Sequence, residues 1–185
     1  MIEAEGNISG LEQFEKYTPY DLLYNGINLA ERIGSSGQRL IIPRTFLFGT
    51  QELSEYSNAK REQVLAEFKR HGKTYMRKNP VIVLHSNFEN GTQLIIVDGH
   101  HRVRYAPKYR ITDIPCLVVS AETLTAIINE EKNTNITPAQ FSAEMQQNAA
   151  NALNSFDKRI TDYRSPQFVF GVTKAADLNK RFASF

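Results

Sequence analysis

Apolar and polar positions fall into short blocks along the chain, and Gly, Pro and Asn punctuate them. Thr18-Pro19 opens a helix, a capping hydroxyl followed by Pro at the first helical position. Leu22, Leu23, Ile27, Ala30 and Ile33 follow at roughly helical spacing, and Gly34 ends it. Ser35-Ser36-Gly37 reads as a loop and Leu40 to Pro43 as a short strand. A second helix starts at Ser57 or Asn58, puts Val64, Leu65 and Phe68 on one face, and stops at Gly72. Pro80 releases the strand Val81 to Leu84. Asn87 to Gly91 is a turn, because Asn-Gly readily supplies positive φ, and Leu94 to Val97 returns as the other strand of a hairpin. That strand runs directly into Asp98-Gly99-His100-His101-Arg102. A helix carrying Val103 and Ala106 begins there, and Pro107 limits it to about two turns. Ile114 to Val119 is another buried strand.

Beyond Ser120 the pattern is helical. Leu124, Ile127 and Ile128 mark one segment. Thr137-Pro138 opens a longer one, with Phe141, Met145, Ala149, Ala152, Phe156 and Ile160 on a common stripe. The stripe is a packing face, either within the chain or on a second copy in a homodimer. Phe168, Phe170, Phe182 and Phe185 in the last segment are expected to pack back on the body. No internal repeat or low-complexity tract interrupts the chain.

Composition narrows the class. A chain of 185 residues with 41% hydrophobic content buries one core with room for a helical appendage. No apolar run approaches the ~20 residues of a membrane span. The start, Met1 to Glu5, is acidic and lacks an apolar core, so no secretory signal is expected. Cys116 is the lone cysteine, sits in an apolar stretch and reads as a small buried filler. These features fit a reducing cytoplasm, and equally an effector delivered into another cell. The net charge of +2 is unevenly spread. Residues 1–59 carry four basic and eight acidic groups, whereas residues 60–110 carry eleven basic and four acidic. The positive excess surrounds the Asp98–Arg102 turn and suits an anionic ligand, although Lys60 to Lys78 taken alone reads as a solvated basic helix face.

The turn has the chemistry for one. The first turn of a helix leaves N–H groups unpaired and carries partial positive charge, which favours phosphate. Gly99 permits close approach and positive φ. Arg102 can grip phosphate oxygens with a fork of donors. His100 and His101 add donors or a proton carrier, and being adjacent they point about 100° apart on a helix. Asp98 can act as general base, touch a metal, or cap the helix. No further ligands stand at useful spacing, so a metal site made by the protein alone is not expected. His71 and His85 read as ordinary surface or helix-end residues.

Asp98 to Arg102 resembles the Asp-Gly-His-His-Arg turn of the ParB/sulfiredoxin-like superfamily, which includes the free-serine kinases. The order of elements agrees over residues 38–120, from the strand ending at Pro43 to Asp113-Ile114-Pro115 opening the last strand. The resemblance implies an α+β fold, a small mixed sheet flanked by helices. It divides the chain into an N-terminal helical segment (1–37), a nucleotide-binding domain (38–120) and a helical C-terminal extension (121–185). It implies ATP or another nucleotide, with Mg²⁺, held at Gly99, His100, His101 and Arg102, with Asp98 and His100 in catalytic roles. Chemistry across the superfamily includes ATP-dependent phosphoryl transfer, CTP hydrolysis, serine phosphorylation and nuclease activity, and fold cannot choose among them. Sulfiredoxin's cysteine would fall where His100 stands, so that activity is not expected. The kinases need an N-terminal glutamate, for which Glu52 and Glu55 are candidates. Pro107 departs from the usual Ala-rich helix.

Three functions compete. The first is a nucleotide-dependent phosphotransferase or hydrolase with an unknown phosphate acceptor. The second is a nucleic-acid-binding or nuclease module, weakened by a tail with no clear recognition helix. The third is a non-catalytic effector or interaction domain.

Overall fold

A strand covered on both faces must be apolar on both, and reads as a continuous apolar run rather than an alternating one. Val81 to Leu84, Leu94 to Val97 and Cys116 to Val119 are such runs, and all twelve residues are buried. The computed structural model describes residues 27–51, 55–88 and 91–157. Its helices and strands are α1 (Leu29–Ile33), β1 (Gln38–Pro43), β2 (Leu47–Phe48), α2 (Asn58–His71), α3 (Lys73–Lys78), β3 (Val81–Phe88), β4 (Gly91–Asp98), α4 (His100–Tyr105), β5 (Asp113–Ser120), α5 (Ala121–Lys132) and α6 (Pro138–Asp157).

The strands form one mixed sheet in the order β1-β5-β3-β4-β2, with helices on both faces, an α+β architecture. β3 and β4 make the expected antiparallel hairpin, closing at the pair Phe88 and Gly91. Glu89 and Asn90 at its tip lie outside the described residues. Alternate side chains of the central strands enter two separate cores. On one face Val81, Val83, Leu94 and Ile96 meet Val64 and Phe68 of α2, Met76 of α3 and Val103 of α4. On the other, Ile82, Leu84, Ile95 and Val97 meet Leu29 and Ile33 of α1, Leu124 and Ile128 of α5, and Phe141 and Met145 of α6. The α6 stripe therefore packs within the chain through Ala149.

The helix starts follow local chemistry. Ser57 Oγ accepts the Lys60 N–H at 3.2 Å, and Ser120 Oγ accepts the Thr123 N–H at 3.3 Å. Before α6, Thr137 Oγ1 accepts the Gln140 N–H at 3.2 Å while the Gln140 side chain accepts the Thr137 N–H at 2.9 Å. This reciprocal pair satisfies two donors that the helix cannot.

Some expectations differ from the structure. The first helix was expected to open at Thr18-Pro19, run through Ile33 and end at Gly34; Leu29–Ile33 is helical and capped by Gly34, but Ile27 and Asn28 are not helical and α1 begins at Leu29. Residues 18–26 lie outside the described residues. No element was expected between Gly72 and Pro80, yet α3 forms there with a polar sequence that buries only Met76. It forms because Gly72, at φ +52°, redirects the chain at the end of α2 and lets Met76 reach the core. β2 is only two residues long, too short for any periodicity, and exists through pairing with β4. The side chain of Phe156, together with Ile160 and Ser165 to Phe185, lies outside the described residues.

Candidate functional site

Strand directions gather distant residues at one end of the sheet. β2 runs parallel to β4 and β3 antiparallel to it, so the exits of β2 and β4 share an end with the entry of β3. β5 is parallel to β3 and β1 antiparallel to β5, which brings Asp113, Pro43 and Arg44 to the same end. Thr50, Pro80 and the Asp98–Arg102 turn thus meet. A register irregularity in β3 between Ile82 and Val83 lies beside Asp98, the partner of Ile82.

Gly99 joins β4 to α4 at φ +105°, a conformation that L side chains rarely adopt. A Cβ there would stand 2.9 Å from Arg102 Nη2 and 3.1 Å from Val81 Cγ2. The guanidinium thus lies folded over the glycine. Arg102 Nη2 donates to Asp98 Oδ2 at 3.1 Å and to the Pro80 carbonyl at 3.3 Å. Arg102 is 15% exposed and Asp98 45%, so the pair reaches solvent through its carboxylate. Beside them opens a cleft of about 310 Å³, with Lys78, Asn79 and Asn28 on its polar side and Pro80, Ile82 and Leu29 on its apolar side. α4 has only six residues and continues as a 3₁₀ turn from Ala106 to Tyr109, with Pro107 at its start. Side-chain cations, more than the dipole of so short a helix, set the charge here.

The two histidines point to different places. His100 is 3% exposed. Its Nε2 accepts the Thr50 backbone N–H at 3.0 Å and lies 2.9 Å from Thr50 Oγ1. Burial pushes its pKa down from 6.5 to about 3, with Asp98 opposing and His101 and Arg102 adding to the shift. The ring is neutral and faces Thr50, not the cleft. His101 is 8% exposed and its ring lies 4.9 Å from that of Tyr56. Arg104 sits over the same tyrosine, with Cζ 4.3 Å from the ring centre. Burial lowers the pKa of His101, and Lys60 and Arg104 lower it further, against a hydrogen bond with the Ser57 backbone and the charge of Asp98. Among the described residues its Nε2 has no hydrogen-bond partner. Arg44 is 5% exposed, donates through Nε to the Val103 carbonyl at 2.9 Å, and leaves Nη2 without a partner among the described residues. Burial lowers its pKa to about 10; Tyr56 opposes this and Arg104 adds to it.

The Asp98–Arg102 turn therefore separates two chemical environments. Asp98 and Arg102 border the open cleft. His101 faces a cationic cluster made by the buried Arg44, the half-buried Arg104 and the exposed Lys60. Of the other candidates, His71 is exposed and lies 3.8 Å from Glu67, and His85 lies on β3, its pKa lowered by burial. Glu55 is exposed and Glu52 lies outside the described residues. Cys116 is buried, and burial pushes its thiol pKa well up, which suits the filler role. Sequence reading missed Lys78, Asn79, Asn28, Thr50, Arg44 and Tyr56. Only the basic run 60–110 and the Pro43-Arg44 strand end hinted at any of them.

Among the described residues no group of three or more His, Cys, Asp or Glu could hold a metal ion. Mg²⁺ is usually held by one or two carboxylates together with substrate phosphates. The half-exposed Asp98 carboxylate fits that modest requirement. No described helix is long and apolar enough to cross a membrane.

The fold and site define a mixed α+β protein with a cationic, Gly-turned strand end. No family model and no curated protein matches the sequence. Among solved structures the chain is similar to the C-terminally truncated chromosome-partitioning protein ParB from Caulobacter crescentus, complexed with CTP-gamma-S. The identity is 18% and the TM-score 0.37, and the match covers 55% of this chain and 56% of that one. The match thus spans little more than half of either protein, and at that TM-score it does not decide the family.

Proposed function

We propose that the protein binds a nucleoside di- or triphosphate with Mg²⁺, and transfers or hydrolyses a phosphoryl group at the Asp98–Arg102 turn. The observation that carries this reading is His101. Its Nε2 is buried and lacks a partner among the described residues, and two cations stand close enough to depress its protonation. A buried polar atom without a partner costs free energy, and positive charge close to it favours an anion with acceptor oxygens. A phosphate would be neutralised by Lys60 and Arg104, and its charge would favour protonation of His101, whose Nε2–H could then donate to a phosphate oxygen. Residues 38–120 are the nucleotide-binding unit in this reading, in keeping with the resemblance of the turn.

Asp98 and Arg102 then sit between the phosphates and the cleft. Asp98 would hold Mg²⁺ carried on the nucleotide, or accept the proton of an attacking hydroxyl or water as the bond to the leaving phosphate breaks. Mg²⁺ would supply charge neutralisation. Arg102 steadies the Asp98 carboxylate through the 3.1 Å contact and is free to turn one nitrogen to phosphate. Phosphoryl transfer needs mainly positioning and neutralisation, which these groups supply.

The test is a thermal-shift series with ATP, ADP, CTP and GTP, each with and without Mg²⁺. A ligand bound only by the folded state raises the melting temperature with its occupancy. One nucleotide should give a shift that is lost in His101→Ala and reduced in Arg102→Ala. Absence of any shift from folded protein, or a shift unchanged in both variants, would reject the reading and turn attention to nucleic-acid and protein partners.

A further inference from the structure

Thr50 is 4% exposed and lies just beyond β2, far in sequence from the turn. It nevertheless holds both flanks of the turn. Its Oγ1 donates to the Ile96 carbonyl at 3.1 Å, two residues before Asp98. Its backbone N–H donates to His100 Nε2 at 3.0 Å, two residues after Asp98. Oγ1 also stands 2.9 Å from that nitrogen.

A backbone N–H can only donate, so His100 Nε2 must present a lone pair. The single hydroxyl proton of Thr50 can serve Ile96 or His100, and whichever it serves, the backbone N–H claims the Nε2 lone pair. The ring proton therefore resides on Nδ1. Gly99, at positive φ, and the half-exposed Asp98 lie between these two attachment points.

We propose that Thr50 is a positioning residue of the site: acting through His100 and Ile96, it fixes the ring as the Nδ1–H tautomer and holds the Asp98-Gly99 turn in place. The consequence for binding rests on the nucleotide reading above; the consequence for the turn does not. His100 in turn acts as an internal strut, leaving phosphate contact to His101 and Arg102.

Imidazole ¹⁵N spectra of the labelled full chain at pH 7 test the tautomer without any variant. His100 is expected as Nδ1–H in the wild type, and an Nε2–H ring overturns the proposal. Thr50→Val then removes the hydroxyl while keeping shape and backbone N–H, and Thr50→Ser restores the hydroxyl. In Thr50→Val the amide signals of Asp98, Gly99 and Arg102 should shift or broaden, with circular dichroism and melting confirming that the core is folded. In Thr50→Ser they should stay near wild-type positions. Unmoved turn amides in Thr50→Val, or equal disturbance in Thr50→Ser, overturn the proposal.

The same proteins titrated with ATP–Mg²⁺ and CTP–Mg²⁺ give the binding consequence. For whichever nucleotide the wild type binds, Thr50→Val should weaken affinity by about tenfold, the scale of one lost hydrogen bond, and Thr50→Ser by less than about threefold. Equal affinities in all three proteins count against the proposal. If the wild type binds neither of these, nor ADP or GTP, the nucleotide reading fails, and the tautomer and amide signals still decide the role of Thr50.

Discussion

At Gly99 a single residue combines two constraints, a φ of +105° and a guanidinium packed where a Cβ would go. Either alone makes a side chain costly there. Gly99→Ala is expected to lower stability by roughly 1–2 kcal/mol from backbone strain, and also to push Arg102 off Asp98. Urea unfolding would report the first effect, and loss of any nucleotide-induced thermal shift the second. His100 sets a second prediction. Its folded pKa lies near 3 against 6.5 for the free side chain. Between those values the unfolded chain binds a proton that the folded protein refuses, so stability falls as pH falls below about 6.5. The loss should approach ~1.4 kcal/mol per pH unit, added to whatever the carboxylates contribute. His100→Gln keeps an acceptor for the Thr50 N–H but does not titrate. The difference in urea midpoint between wild type and His100→Gln should therefore shrink or reverse from pH 7 to pH 5. A pH-independent difference would show that the ring is not buried neutral.

Elements are held together by close approach as well as by apolar area. Gly37 sits between the 3₁₀ turn after α1 and the start of β1. A Cβ at that position would stand 2.7 Å from Ile33 Cγ2 and 2.7 Å from Leu117 Cδ1, both fully packed side chains. Gly37→Ala is expected to cost about 1–3 kcal/mol through overpacking, read by chemical denaturation, even though alanine suits the backbone angles. Element boundaries also show how much was legible. The hairpin, α2, α4 and β5 were readable from apolar runs, caps and Pro or Gly stops. α3 and β2 were not, because six polar-rich residues and two isolated ones carry no usable period. Their existence depends on what they pack against or pair with.

For the whole molecule the decisive fact is a sheet with two covered faces. α2, α3 and α4 cover one, and α1, α5 and α6 cover the other. A chain ended after Ser120 would leave Ile82, Leu84, Ile95, Val97, Leu117 and Val119 without α5 and α6. Six buried aliphatic side chains represent on the order of 10 kcal/mol of burial, comparable to a domain's whole stability. Such a truncation is expected to lose near-UV circular dichroism and to bind a hydrophobic dye, and a cooperative unfolding transition from it would contradict this account.

Sequence by itself determined the strand–turn–helix at Asp98 to Arg102 and the hairpin that leads into it, while the mixed sheet was implied only by the resemblance of the turn. The strand–turn–helix and the hairpin are written in local patterns: apolar runs, a glycine where φ must be positive, and a proline where a helix must stop. It also determined that His100 and His101 diverge, since neighbours on a helix differ by about 100°. Which histidine faces what was settled only by tertiary structure. Thr50 reaches His100, and Tyr56, Lys60 and Arg104 surround His101, through strand order and helix packing. Contacts between residues about fifty positions apart leave no mark on either local pattern, so only the folded chain could assign them.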